Sequence, residues 1–177
     1  MPLFQFGSWA LEINPEGTRA AYAAIAAQER CNCSGCRNYD LQTKVFPEAV
    51  RLFFESLGVD PCRPTEIYDL CMEDGLVRYG GFYHLAGCYL SGEDCWQPAP
   101  NPLRRRGLFF RQRKLRRRME DLEHLHQEAL PSLAEHFSVG FTRGISMQPA
   151  AGWPEDEIVQ MEIDFRLPWL LEEPYEQ

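Results

Sequence analysis

The hydrophobic positions of this chain change period along its length. Trp9, Leu11 and Ile13 alternate with Ala10 and Glu12, the two-residue repeat of a half-buried strand. Asn14-Pro15 follows as a helix start, with asparagine as cap and proline at the first helical position. An alanine-rich run carries that predicted helix to about Arg30, with Tyr22 and Ile25 toward the core. Ser34, Gly35 and Asn38 are expected to break the helical pattern across 31–38. A second helix is predicted from about Pro47 to Leu57, because Val50, Phe53, Phe54 and Leu57 share one face. Gly58 stands where a left-handed cap belongs, and Pro61 and Pro64 prevent continuation.

From Thr65 the repeat becomes that of strands. Thr65–Met72 and Leu76–Leu90 are rich in Tyr, Phe, Ile, Val and Leu, and Glu73-Asp74-Gly75 between them is a hairpin signal. Gly80-Gly81 and Gly87 predict a bulge or a close backbone approach in the second run. Phe137, Val139 and Phe141 give a further strand. The clearest of all is Val159, Met161, Ile163, Phe165 and Leu167, alternating with Gln160, Glu162, Asp164 and Arg166. That pattern predicts one buried face and one facing water or a partner.

Between these halves, residues 97–118 are proline-rich and then basic, which reads as an insertion. A helix from about Phe110 to His126 is expected from the stripe Leu115, Met119, Leu122 and Leu125, with Pro131 ending or kinking it. Helices followed by antiparallel strands predict an α+β fold: a single domain, residues 1–177, with a mainly antiparallel β-sheet and helices packed on one face. No internal repeat points to a solenoid.

Composition adds compartment and charge. The chain has 177 residues, 45% of them hydrophobic and 25% charged, as expected of one globular domain. It shows no apolar stretch of membrane-spanning length, and Gln5, Gly7, Ser8 and Glu12 interrupt any leader-like run, so a cytoplasmic protein without a membrane partner is expected. The net charge of −8 conceals an asymmetry. Nine of the eighteen Lys and Arg residues lie between Arg104 and Arg118, a stretch without Asp or Glu. The rest of the chain therefore sets nine basic against 26 acidic residues, a balance of −17. Guanidinium groups beside Phe109 and Phe110 suit phosphates and bases, giving a nucleic-acid-contacting reading. The competing reading is a segment that neutralises the chain's own acidic surface, and it is favoured because short basic runs are frequent false positives.

Seven cysteines, an odd number without a secretory signal, argue for reduced thiols. Cys31-Asn32-Cys33-Ser34-Gly35-Cys36 places three of them within six residues. They suit a soft cation such as zinc, with a fourth ligand to come from Cys62, Cys71, Cys88, Cys95 or His84. Cys33-Ser34-Gly35-Cys36 also reads as a redox pair if a helix starts near Cys36, although no βαβ pattern surrounds it. The third reading is a turn shaped by small residues. Cys71 and Cys88 are expected on neighbouring strands as core packing. His84 is most simply a hydrogen-bonded strand residue, and His124 and His126 helix-surface residues. Neither a G-x-S-x-G, a P-loop, a dinucleotide fingerprint nor an H-E-x-x-H occurs, and no catalytic residue is assigned.

Cys31-x-Cys33-x-x-Cys36-x-Asn38-Tyr39, Leu57-Gly58-Val59-Asp60, Tyr83-His84 and Pro168-Trp169-Leu170-Leu171-x-Glu173 together resemble a group of small uncharacterised bacterial proteins carrying a CxCxxCxNY motif. The resemblance implies a single bacterial domain and transfers no activity; the basic segment falls outside the shared pattern. The expectation is thus a non-enzymatic binding or interaction protein with a structural cysteine-rich metal site, its acidic body suited to a protein partner. The alternatives are a nucleic-acid module acting through Arg104 to Arg118 and a thiol redox enzyme at Cys33 and Cys36.

Overall fold

A computed structural model describes residues 1–24, 31–98, 123–125, 130–145, 153 and 157–175. Among the described residues there are three helices: α1 (Pro15–Ala24), α2 (Ser34–Thr43) and α3 (Glu48–Leu57). The strands are β1 (Leu3–Phe6), β2 (Trp9–Ile13), β3 (Glu66–Glu73), β4 (Leu76–Ser91), β5 (Trp96–Pro98), β6 (Glu123–Leu125), β7 (Ser132–Ala134), β8 (Phe137–Thr142) and β9 (Ile158–Pro168). Among the described residues, no helix is long and apolar enough to cross a membrane.

The sheet is antiparallel throughout and runs β1-β2-β4-β9-β8-β7, with β3 also paired to β4. The sixteen-residue β4 makes this possible, because β3 pairs with Leu76–Phe82 and β2 with Gly87–Ser91, while β9 runs along Leu76–Ala86. Asp74 and Gly75 close the β3–β4 hairpin with φ of 52° and 79°, the two left-handed residues of a turn whose twist matches the strands. The backbone of β3 approaches Gly81, and that of β2 approaches Gly87, where a Cβ would stand 2.3 Å and 2.2 Å from a carbonyl oxygen.

The two sides of the sheet differ. Val77, Tyr79, Tyr83 and Leu85 of β4, Phe137, Val139 and Phe141 of β8, and Val159 to Leu167 at alternate positions of β9 form the apolar side. Against it pack α2 through Tyr39 and α3 through Val50, Phe54 and Leu57, with Phe54 edge-on to Tyr83 and Phe46 edge-on to Phe137 and Phe165. Asn14 caps α1 by accepting from the Gly17 N–H at 2.9 Å, as its position predicts. Gly58 ends α3 at φ 73°, also as predicted.

Four expectations need correction. The segment expected to break the helical pattern contains α2 from Ser34, because hydrogen bonds to the sheet outweigh the weak helix propensity of Gly and Asn. Glu123–Leu125, placed in a helix by its leucine stripe, pairs as β6 with Trp96–Pro98, so His124 is a strand residue. The other residues of that stripe, His126 and Arg104 to Arg118 lie outside the described residues. Gln160 and Glu162 do not face water: they are 0% and 1% exposed, so this stretch of the sheet is buried on both sides, whereas Asp164 is half-buried and Arg166 exposed as expected. Finally, Cys71 and Cys88 do lie on neighbouring strands but are only half-buried rather than core, Cys71 opposite Arg78 and Cys88 opposite Glu12, toward the two ends of β4.

Candidate metal centre

The CxCxxCxNY residues converge on the N-terminal end of α2. Cys33 is the cap residue, in extended conformation at φ −67° and ψ 165°, and its side chain makes no capping hydrogen bond. The first turn of the helix thus directs N–H groups and the positive end of the helix dipole toward the thiols, which favours thiolate. The sulfurs of Cys31, Cys33 and Cys36 all lie within 4.8 Å of one another. Cys31 and Cys33 are exposed and Cys36 is half-buried.

The three thiols are electrostatically unequal. The backbone N–H of Cys33, 3.4 Å from the Cys31 sulfur, and the thiols of Cys33 and Cys36 lower the Cys31 pKa. Burial, with the two neighbouring sulfurs adding to it, pushes the Cys36 thiol up to about 12. The cluster therefore holds protons that a cation would displace, as metal binding to thiols requires. In a tetrahedral zinc site with bonds of about 2.3 Å, the sulfurs stand about 3.8 Å apart. Rotamer changes at the exposed thiols are enough to close a 4.8 Å cluster to that distance.

What fixes the cluster is the next turn of the same helix. Asn38 is fully buried, and both its amide hydrogens and its carbonyl oxygen are hydrogen-bonded. Its Nδ2 donates to the Tyr79 hydroxyl at 3.0 Å and to the Pro168 carbonyl at 3.2 Å, and its Oδ1 accepts from the Leu170 N–H at 2.7 Å. The Tyr79 hydroxyl passes the chain back to α2, donating to the Gly35 carbonyl at 3.0 Å. One turn on, Gln42 donates to the Pro168 carbonyl. Tyr39 meets Tyr83 hydroxyl to hydroxyl at 2.7 Å, and because Tyr83 spends its proton on the Pro61 carbonyl, Tyr39 is the donor. Burial raises the Tyr79 and Tyr83 pKa values, so both stay neutral donors.

The C-terminal segment closes the outer side. Trp169 stacks edge-on with Tyr175 and donates its indole N–H to the Glu173 carbonyl, while the Glu173 carboxylate pairs with Arg37 of α2. Tyr175 donates its hydroxyl to Asp69 Oδ2 at 2.9 Å. Asn38, Tyr39, Pro168, Trp169 and Glu173, distant in sequence, are thereby one supporting shell around the cysteines. Asp69 and Tyr175, which the sequence reading passed over, join them. A lone acid in a strand and a tyrosine near a chain end carried no local signal.

None of Cys62, Cys71, Cys88, Cys95 or His84 belongs to the thiol group. Cys62 contacts the Thr43 hydroxyl at the other end of α2, at 3.0 Å. Cys95 is buried against Gly140, where burial raises its thiol pKa. His84 lies on the polar side of the sheet, beside Phe82 and Trp153. A separate cleft of about 460 Å³ opens between α1 and α3, lined by Arg19, Arg51 and Arg63 among others. Two of those guanidiniums are engaged by carbonyls, Arg19 with Glu55 and Arg63 with Tyr22, so the cleft offers a less coherent binding chemistry than the thiols. Comparison of the chain with protein-family models, curated proteins and solved structures finds no match.

Proposed function

We propose that this chain is a metal-binding interaction protein in which Cys31, Cys33 and Cys36 hold a soft cation, zinc foremost, as a structural centre. One observation carries the reading: three thiol sulfurs lie within 4.8 Å at the start of a helix that the sheet holds by buried hydrogen bonds. Thiolates select zinc over hard cations, and a closed site contributes to folding rather than to turnover. The role is docking: a body this acidic favours a basic protein partner, because complementary charge speeds encounter. The redox alternative at Cys33 and Cys36 is weaker, since three thiols rather than a pair converge and the sheet beside them is antiparallel, without a βαβ unit among the described residues.

The test is metal content. Protein purified without chelator should carry close to one zinc per chain, and the triple change Cys31→Ser, Cys33→Ser, Cys36→Ser should abolish it. Wild-type protein that takes up no zinc or cobalt from a reduced apo preparation would end this reading. A disulfide between Cys33 and Cys36 that equilibrates at a cytosolic glutathione potential would favour the redox alternative instead.

A further inference from the structure

Resting on the thiol site just proposed, we infer that Asp69 of β3 is its fourth protein ligand and that Tyr175 orients it. The Asp69 carboxylate is packed into the first turn of α2: a Cβ on Gly35 would stand 2.3 Å from Asp69 Oδ1. Glycine at position 35, in the middle of Cys33-Ser34-Gly35-Cys36, is thus what admits the acid to the thiol turn. Any side chain there would drive it out.

The strand aims the acid. The register of β3 against β4 shifts between Asp69 and Cys71, and such bulges re-aim side chains. Oδ2 of Asp69 accepts from Tyr175, and Oδ1, on the Gly35 side, is left toward the thiol turn. A carboxylate with one oxygen held by a donor and the other turned to the site is how ligating acids are commonly oriented. Asp69 is outside the group whose ligand atoms all lie within 4.8 Å of one another, so binding has to draw the exposed Cys31 and Cys33 thiols toward it. Cys71, the nearest thiol along β3, instead contacts Glu73 at 3.8 Å.

Three thiolates and one carboxylate leave the loaded site with two net negative charges, the same as four thiolates would. The anionic site sits at the positive end of α2 with Arg37 in the same helix. The loaded centre is then a closed four-ligand site, with no open position for substrate.

The experiment uses the full-length protein, reduced and stripped of metal, with zinc affinity read by competition against a chromophoric chelator. Asp69→Asn, which keeps the shape and an acceptor for Tyr175, should weaken zinc binding on the order of 10- to 100-fold, and Tyr175→Phe about tenfold. Cys71→Ser should leave affinity unchanged. X-ray absorption at the zinc edge of the wild type, independent of any variant's folding, should fit three sulfurs at about 2.3 Å and one oxygen at about 2.0 Å. Four sulfurs, or a loss at Cys71→Ser with none at Asp69→Asn, overturns the assignment and leaves the thiol site standing. Zinc bound with unchanged affinity in both variants does the same and makes the fourth ligand water. Absence of zinc binding in the wild type overturns the site itself.

Discussion

Glu162 and His84 occupy diagonal positions on the polar side of β4 and β9, Glu162 opposite Phe82 and His84 opposite Gln160. Burial raises the Glu162 pKa, aided by the Asp94 and Glu66 charges and opposed by the Trp96 indole and the Gln160 amide. Gln160 donates to its carboxylate, whereas Trp96 Nε1 is buried without completing a hydrogen bond of normal geometry. His84 is pushed the other way by burial, from 6.5 to about 4, against a hydrogen bond with Gln160, and its Nε2 has no partner among the described residues. The signs oppose. Glu162 keeps its proton longer in the folded chain, so its contribution is full at low pH and is lost as pH rises through its folded pKa. His84 contributes fully above 6.5 and loses that contribution as pH falls toward 4, at most about 3 kcal/mol. Glu162→Gln should therefore raise the melting temperature at pH 8 and change it little at pH 4.5, in thermal melts at the two values. An equal loss at both would mark Glu162 as a well-partnered anion. Glu162→Ala should itself be destabilising by about 1–3 kcal/mol, because the Gln160 amide loses its acceptor. Next to it, Ile163→Ala should cost roughly 2–5 kcal/mol through the cavity it opens in the apolar side.

At the scale of elements, α2 shows where local pattern and tertiary context part. The strand β2, the start of α1, α3 with its Gly58 cap and the β3–β4 hairpin were all legible, because period and turn chemistry are local. The face of α2 is not: it is made of Asn38, Tyr39, Gln42 and Thr43, buried polar groups that no hydrophobic period reveals. The partners of Asn38, Tyr39 and Gln42 lie on β4 and at Pro168 and Leu170, reached only once the sheet has formed. The thiols were legible as a cluster, but their geometry depends on this unseen helix. The alternation of β9 was read correctly and its wet face holds at Arg166 but not at Gln160 and Glu162, because alternation cannot say which part of the polar side is covered. For α2 itself, Asn38→Ala removes a donor from the Tyr79 hydroxyl and the Pro168 carbonyl and the acceptor of the Leu170 N–H. Denaturant unfolding should show a loss of about 2–4 kcal/mol, beyond the usual cost of a single hydrogen bond. Zinc affinity should fall with it. A loss under about 1 kcal/mol would mean that α2 is held by Tyr39 packing alone.

For the whole molecule, the sheet and the thiol site differ in what holds them. The middle of the β4–β9 pair is buried on both sides, with Tyr83, His84, Leu85 and Val159 to Ile163 at 0–1% exposure and Phe82 at 4%. Opening it requires global unfolding. The start of α2 and residues 168–175 have less behind them: Arg37 and Glu173 meet at the surface, and Tyr175 is joined to Asp69 from the edge of the sheet. An exposed ion pair contributes only about 0–1 kcal/mol, so the proposed metal, linking the thiol turn to β3, would reinforce this end. Binding to the folded state alone stabilises by about 2.7 kcal/mol at a hundredfold excess over Kd. Hydrogen exchange with and without chelator should localise the effect. Removing zinc should speed exchange in α2 and in 168–175 at least tenfold, leave β4 and β9 governed by global stability, and lower the melting temperature. Uniform acceleration along the chain would instead make the metal a requirement of the entire fold, as in small zinc domains without a core of their own. The size of the core argues against that, since an apolar layer spanning β1 to β8 and three helices does not depend on one cation to form.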